Sequence, residues 1–206
     1  MSNQIIEQHH EKHRIFVIED LAEYVDKSWF SPEHWQRLNA VVGQSAGRNT
    51  AYFLDYMDRQ LVLRRYYRGG LMAKLSRENY LFTGYTSARA SAEMNMLAKM
   101  RELNLPVPRP IAALVEKTGV LTCKNAILIE RIHKAQDAYQ WLSERPMSAE
   151  LWFGMGKMVR LFHNRGVYHS DMNIHNIMLD ENNKFWLIDF DKCAFKDLTG
   201  QWQQHT

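Results

Sequence analysis

The chain has 206 residues, 46% hydrophobic and 24% charged, which suits one compact domain or two small lobes and excludes a disordered chain. A formal net charge of +3 is compatible with anionic ligands and too weak to argue for nucleic acid, which is not expected as a partner. Two distant cysteines, Cys123 and Cys193, make no disulfide framework, the polar N-terminus carries no secretory signal, and no apolar run approaches the roughly 20 residues of a membrane span. The chain is therefore expected in the cytoplasm, where it can still touch a membrane surface.

In chain order, the N-terminal "HHEKH" is one residue short of the zinc-binding spacing H-E-x-x-H and reads as a tail. "RIFVIED" (14–20) predicts a strand. "SPEHWQRLNAVV" predicts a helix with Ser31 as N-cap and Pro32 at its first position, stopped by Gly43 unless that glycine sets a turn. "TAYFLDY" and "QLVLRRYY", separated by "MDR", predict a hairpin. "TSARASAEMNMLAKMRELNL" predicts a long helix with Ala92, Met96, Leu97, Met100 and Leu103 on its apolar face, ended by "PVPRP". One or two strands follow around a turn at 117–119. A second helix runs from Ser148 to a C-capping Gly166.

The last part carries the densest chemistry. "YHSDMNIHNIMLDENNKFWLIDFD" (168–191) places polar groups on either side of a hairpin whose turn is "ENN". With Leu179 set opposite Lys184, Asn176 falls opposite Leu187, two residues or roughly 7 Å of strand short of Asp189. A carboxamide oxygen and a carboxylate at one end of a ribbon are hard ligands suited to Mg2+. Asp171, five residues before Asn176, is placed to accept a proton from an attacking hydroxyl. His169 reads as a structural member of the loop, with its ring bonded to backbone. His-x-Asp, an Asn five residues on, a strand pair and then Asp-Phe is the phosphotransferase pattern of kinases.

That pattern directs the search upstream. Gly43, Gly47 and Arg48 in "VVGQSAGRNTAYF" are the candidates for a turn covering phosphates, although an ordinary hairpin turn would read the same. Val62 and Arg64 share one strand face, apolar for adenine and cationic for phosphate, with Arg65 as the rival cation. Glu93 on the long helix is the candidate partner of that cation, against Glu102 or a merely solvated charge. The backbone from Glu130 to Ile132 would read adenine. Asp137 either reaches the ribose or caps a helix. His163 is read as packing near a helix end.

On "AGRNTAYF", "LRRYYRGGLMAKL", "NLPVPRPIAA" and "HSDMNIHNIMLD…WLIDFDKC", the chain resembles the family of bacterial 3-deoxy-D-manno-octulosonic acid (Kdo) kinases, lipopolysaccharide-core kinases with a protein-kinase-like fold. The resemblance covers most of the chain. It implies an α+β, bilobal fold: a β-rich N-lobe over 1–131 with one long helix, and a reduced, mainly helical C-lobe over 132–206. ATP would lie between the lobes. It implies ATP-dependent phosphorylation of the 4-hydroxyl of the Kdo sugar on a Kdo-bearing lipid A precursor, at the cytoplasmic face of the inner membrane. By matching positions, Asp171 is the active-site base, and Asn176 and Asp189 hold Mg2+.

Two features fit a small-molecule or glycolipid acceptor. Protein kinases carry a lysine two residues after the catalytic Asp, and here that position is Asn173. The sequence also has only seventeen residues after Asp189, without an A-P-E sequence, so the C-terminal part is expected to be shortened. "RRYYRGGLMAKLSR" (64–77) mixes cations with aromatic and apolar residues as lipid-contacting segments do, and an ordinary solvated loop has the same composition. A kinase for another acceptor, a non-catalytic lipid-binding pseudokinase and a metal-dependent hydrolase remain as rivals. No sequence feature specifies an oligomeric state.

Overall fold

The computed structural model describes residues 4–45, 50–66 and 79–197. The chain divides into two compact units: Met1–Ala98 with Arg109–Arg131, and Lys99–Pro108 with Ile132–Thr206.

The first unit is built on an antiparallel sheet in the order β1-β2-β7-β8-β5-β4-β3, with β6 also paired to β8. The strands are β1 (Ile5–His9), β2 (His13–Ile18), β3 (Val41–Gln44), β4 (Ala51–Tyr56), β5 (Arg59–Arg65), β6 (Tyr80–Leu81), β7 (Pro110–Lys117) and β8 (Thr122–Glu130). Helix α1 (Pro32–Arg37) starts as the sequence predicts, with Ser31 Oγ accepting from the His34 N–H at 3.4 Å and Pro32 in the first turn. Its Trp35 is fully buried and ringed edge-on by Trp29 and Tyr56.

Two readings of the chain before β4 need correction. The residues before "RIFVIED" are not a tail, because Ile5–His9 pairs along β2 and the rings of His10 and His13 stack 4.3 Å apart at the turn. Gly43 does not stop α1 but lies inside β3, where the register shifts between Val41 and Gly43. The stop is Asn39, left-handed at φ 53°, with Asn39 N–H donating to Gln36 C=O and Ala40 N–H to Trp35 C=O.

Helix α2 (Arg89–Glu102) ends in the same way: Asn104 has φ 56°, its N–H bonds Arg101 C=O, and the Leu105 N–H bonds Met100 C=O. The prolines follow this cap and do not cause it. The buried residues of α2 include Ala90, Glu93, Met94, Met96, Leu97, Ala98 and Met100. Of the predicted apolar positions Met96, Leu97 and Met100 are buried, whereas Ala92 is exposed and Leu103 half-buried. An alanine reads as apolar at any position, whereas the acid at 93 points inward.

The second unit contains α3 (Ala138–Glu144) and α4 (Ala149–Asn164), a sheet β12-β11-β9 and a pair β10-β13. Here β9 is Gln136–Asp137, β10 Val167–Tyr168, β11 Ile177–Leu179, β12 Phe185–Leu187 and β13 Ala194–Phe195. Of the two readings of Asp137, the helix cap is the one observed: it is the N-cap of α3, accepting from the Gln140 N–H at 2.8 Å. Helix α4 runs from its Ser148 cap to Gly166 at φ 72° and buries Met155, Met158 and Phe162. Among the described residues no helix is long and apolar enough to cross a membrane.

Candidate functional site

The hairpin comes first, because its register places the acids. Leu179 lies opposite Phe185, and Ile177 opposite Leu187, one residue away from the assumed pairing. The cause is the turn. Asp180 and Lys184 close it, with Asp180 N–H donating to Lys184 C=O at 3.1 Å and Asn183 left-handed at φ 59°. The Asp180 carboxylate accepts from the N–H groups of Asn182 and Lys184 and from the indole of Trp186. This register puts Ile177, Leu179, Phe185 and Leu187 together on the buried face. It also brings Asn176 opposite Ile188, whose N–H donates to Asn176 C=O at 2.9 Å. Asn176 therefore stands one residue from Asp189, nearer than the sequence implied.

His169 ties the loop to that strand end. Its Nε2 lies 3.0 Å from Ile188 C=O, and its Nδ1 accepts from the Asp171 N–H at 3.3 Å. This pair fixes the tautomer, with the proton on Nε2. His169 is 3% exposed and meets the buried Phe190 ring edge-on at 5.1 Å; Phe190 in turn lies 6.1 Å from Phe162 of α4. The phenylalanine after Asp189 is thus a packing anchor for both histidine and helix.

Asp171 is exposed, and its backbone carbonyl accepts two side-chain amides, Asn173 Nδ2 at 3.1 Å and Asn176 Nδ2 at 2.9 Å. Asn173 also accepts from the His175 N–H at 2.9 Å, capping the short 3-10 helix Ile174–Asn176. Both ends of the Asn173 amide are thus used inside the loop, where a protein kinase would have a lysine reaching outward. Asn176 gives its N–H2 to Asp171, which turns the carboxamide oxygen away from that bond. Asp189 takes left-handed backbone, φ 63°, uncommon for a residue with a side chain and a frequent mark of functional positions. Its carbonyl lies 4.0 Å from the Cys193 thiol.

The other predicted group lies in the first unit. Arg64 on β5 and Glu93 on α2 form a salt bridge, with Arg64 Nη2 2.5 Å from each carboxylate oxygen. The Glu93 side chain is 2% exposed and that of Arg64 17%. The Tyr66 hydroxyl donates to the same carboxylate. Arg65 lines a cavity of about 290 Å³ with Lys27, Glu116 and Lys124, while Glu102 is exposed at the end of α2. Val62 and Arg64 share one strand face, opposite to that of the buried Leu61 and Leu63.

The Glu130 N–H is taken by Arg109 C=O at 2.8 Å and the Arg131 N–H by Gln60 C=O at 2.8 Å. The Glu130 carboxylate lies 3.7 Å from Arg59 and 3.5 Å from Arg109, and Arg109 also holds Asp20 at 2.8 Å. Ile132 is half-buried and is the first residue of its stretch of the second unit. Gly47 and Arg48 lie outside the described residues, as does 67–78, most of the basic-aromatic segment. Of that segment's described members, Tyr66 is buried on Glu93 and so is not a headgroup contact.

Sequence reasoning missed Tyr66 and Arg109. Tyr66 could have been found, since it lies two residues after Arg64 and strand alternation returns it to the same face. Arg109, between two prolines, gave no such signal. Among the described residues no cluster of three or more His, Cys, Asp or Glu is arranged to hold a metal. A site for a hard divalent ion would rest on Asn176 and Asp189, which suits Mg2+, an ion that keeps several waters.

A β-rich unit with a helix glutamate gripping a strand arginine, and a helical unit with a His-x-Asp loop leading to an Asp-Phe hairpin, define a protein-kinase-like phosphotransferase acting on a hydroxyl acceptor. The solved structure of WaaP in complex with acyl carrier protein has the same fold, at TM-score 0.53 and 14% identity, over 82% of this chain and 68% of that one. The Cydia pomonella granulovirus kinase PK-1 matches at TM-score 0.52 and 11% identity, over 78% and 54%. The chain belongs to the lipopolysaccharide kinase (Kdo/WaaP) family, whose sequence profile matches residues 32–206. A 3-deoxy-D-manno-octulosonic acid kinase of Vibrio parahaemolyticus is 39% identical over 201 residues, 97% of this chain and 84% of the relative. The Vibrio cholerae protein of that name is 41% identical over 174 residues, 84% and 73%.

Proposed function

We propose that this protein is an ATP-dependent kinase that phosphorylates the 4-hydroxyl of the Kdo sugar on a Kdo-bearing lipid A precursor during lipopolysaccharide core assembly. It would work at the cytoplasmic face of the inner membrane. The acceptor class is supported by its relatives, 3-deoxy-D-manno-octulosonic acid kinases by name, which match most of the chain at about 40% identity. The observation that carries the chemistry is the bonded frame around Asp171. His169 and Asn176 both bond its backbone, and both are anchored at Ile188, beside Asp189.

In this reading the exposed Asp171 carboxylate accepts the hydroxyl proton of the sugar and aims its oxygen at the terminal phosphate. Asn176 and Asp189 would hold Mg2+, which would supply positive charge to offset that of the nucleotide phosphates. Arg64, held by Glu93, steadies the phosphates, and Gly43 with Gly47 and Arg48 would cover them. Glu130 and Ile132 flank the adenine-reading stretch, where the Glu130 N–H is already spent on Arg109 and the Ile132 backbone is the candidate donor. Most of the rate then comes from positioning and fixed charge.

The test is transfer of labelled phosphate from ATP to a panel: Kdo-lipid A precursor, heptose-bearing core, an aminoglycoside and a protein. Label on the Kdo 4-hydroxyl, located by NMR of the product, is the expected result. Label on another acceptor alone would replace the substrate assignment, and none on any acceptor would favour the pseudokinase. Recovery of the purified protein with anionic vesicles tests the membrane placement.

A further inference from the structure

Arg64 Nη2 lies 2.5 Å from both carboxylate oxygens of Glu93. Tyr66 touches both residues: its hydroxyl donates to Glu93 Oε2, and its ring lies 5.3 Å from the Arg64 guanidinium carbon.

Tyr66 is itself fixed. It is 6% exposed, its N–H donates to Asn125 C=O at 3.1 Å, and Arg89 of α2 lies 5.9 Å from its ring. Asn125 also accepts from the Ala90 N–H in the first turn of α2, at 3.2 Å. One asparagine thus braces both the tyrosine and the helix that carries Glu93.

We infer that Tyr66 is a positioning residue: its hydroxyl locks the Glu93 carboxylate, and through it the orientation in which Arg64 meets the phosphate groups of a nucleotide. The inference rests on the reading of Arg64 and Glu93 given above. Burial, reinforced by the neighbouring Glu93, raises the phenol's pKa well above its ordinary value, so Tyr66 remains an O–H donor throughout the working pH range. Removing the hydroxyl leaves a buried carboxylate short of one donor, while the ring still fills its space.

The experiment is a double-mutant cycle of Tyr66→Phe with Glu93→Gln, repeated with Arg64→Lys. It reads Mg·ATP dissociation constants by fluorescence titration, together with kcat and KM for ATP. Y66F is expected to weaken nucleotide affinity and lower kcat/KM about tenfold, as loss of a hydrogen bond to a charged group does. In either second background it should add less than about twofold. Wild-type affinity and kcat/KM in Y66F would overturn the inference, as would losses that multiply in both cycles, the mark of a general packing role. Wild-type nucleotide affinity and turnover in E93Q would remove the ion-pair reading itself, a result distinct from failure of Y66F alone.

Discussion

The side-chain amide of Asn176 donates to the backbone carbonyl of Asp171 at 2.9 Å, five residues back along the chain. That bond sets the span of the loop and decides which end of the carboxamide is left for other work. Replacing Asn176 by Asp keeps an oxygen for a cation and loses the donor, setting a carboxylate against a carbonyl. N176D is expected to lower kcat about tenfold or more and to raise the magnesium concentration needed for half-maximal rate. Initial rates across a magnesium series check it, and an unchanged midpoint would detach Asn176 from the ion.

Asp171 contributes its backbone to the frame, and in the proposed reading its exposed carboxylate is the base. Its removal should therefore spare the fold. Asp171→Ala is expected to lower kcat by roughly 10²–10⁴-fold, the range for loss of a general base, with nucleotide affinity within about threefold of wild type. Single-turnover kinetics and titration with Mg·ATP separate the two. Turnover that survives intact would take the base role away from Asp171.

The Arg64–Glu93 pair is nearly dry, so its two halves are not interchangeable in effect. Arg64→Met leaves a buried carboxylate uncompensated and should cost about 3–5 kcal/mol of stability. The double variant Arg64→Met, Glu93→Leu removes both charges and should recover most of that loss, since apolar side chains can fill a former ion-pair site. It should not recover activity. Denaturant unfolding beside ATP turnover reads both, and a double variant as unstable as the single one would contradict this account.

The sequence was most legible where spacing alone determines geometry. His169, Asp171, Asn176 and Asp189 could be placed in one loop-and-hairpin because a short ribbon brings its two ends together. Arg64 and Glu93 could be paired because the kinase pattern calls for a strand cation and a helix carboxylate, and strand alternation sets Arg64 on the face of Val62. Legibility failed where one local backbone choice shifts everything after it. Asn183 in left-handed conformation set the hairpin register one residue from the assumed one, and Asn39 and Asn104 closed helices that had been credited to a glycine and to prolines. Asparagine accepts that conformation only when the surrounding bonds favour it, and its name does not announce which copy will do so. The edge strand Ile5–His9 was hidden for another reason. Its residues are at most half-buried, so the periodicity that reveals a core strand is faint.

The Asp180 turn is the device that sets the register, and its carboxylate gives a pH signature. Burial opposes its ionisation, but hydrogen bonds from Trp186, Lys184 and Asn182 outweigh that and hold its pKa below the ordinary 3.8. A carboxyl with a lowered folded-state pKa adds stability that is complete above the unfolded value and is lost as pH falls through the folded one. Asp180→Asn keeps the shape and loses the charge, so at pH 7 it should be less stable by about 1–3 kcal/mol. The gap between the two proteins should hold steady from neutrality down to about pH 4 and close below it. Unfolding midpoints measured from pH 7 to pH 3 check this, and a gap that persists undiminished at the acid end would show that the carboxylate charge does not set the turn.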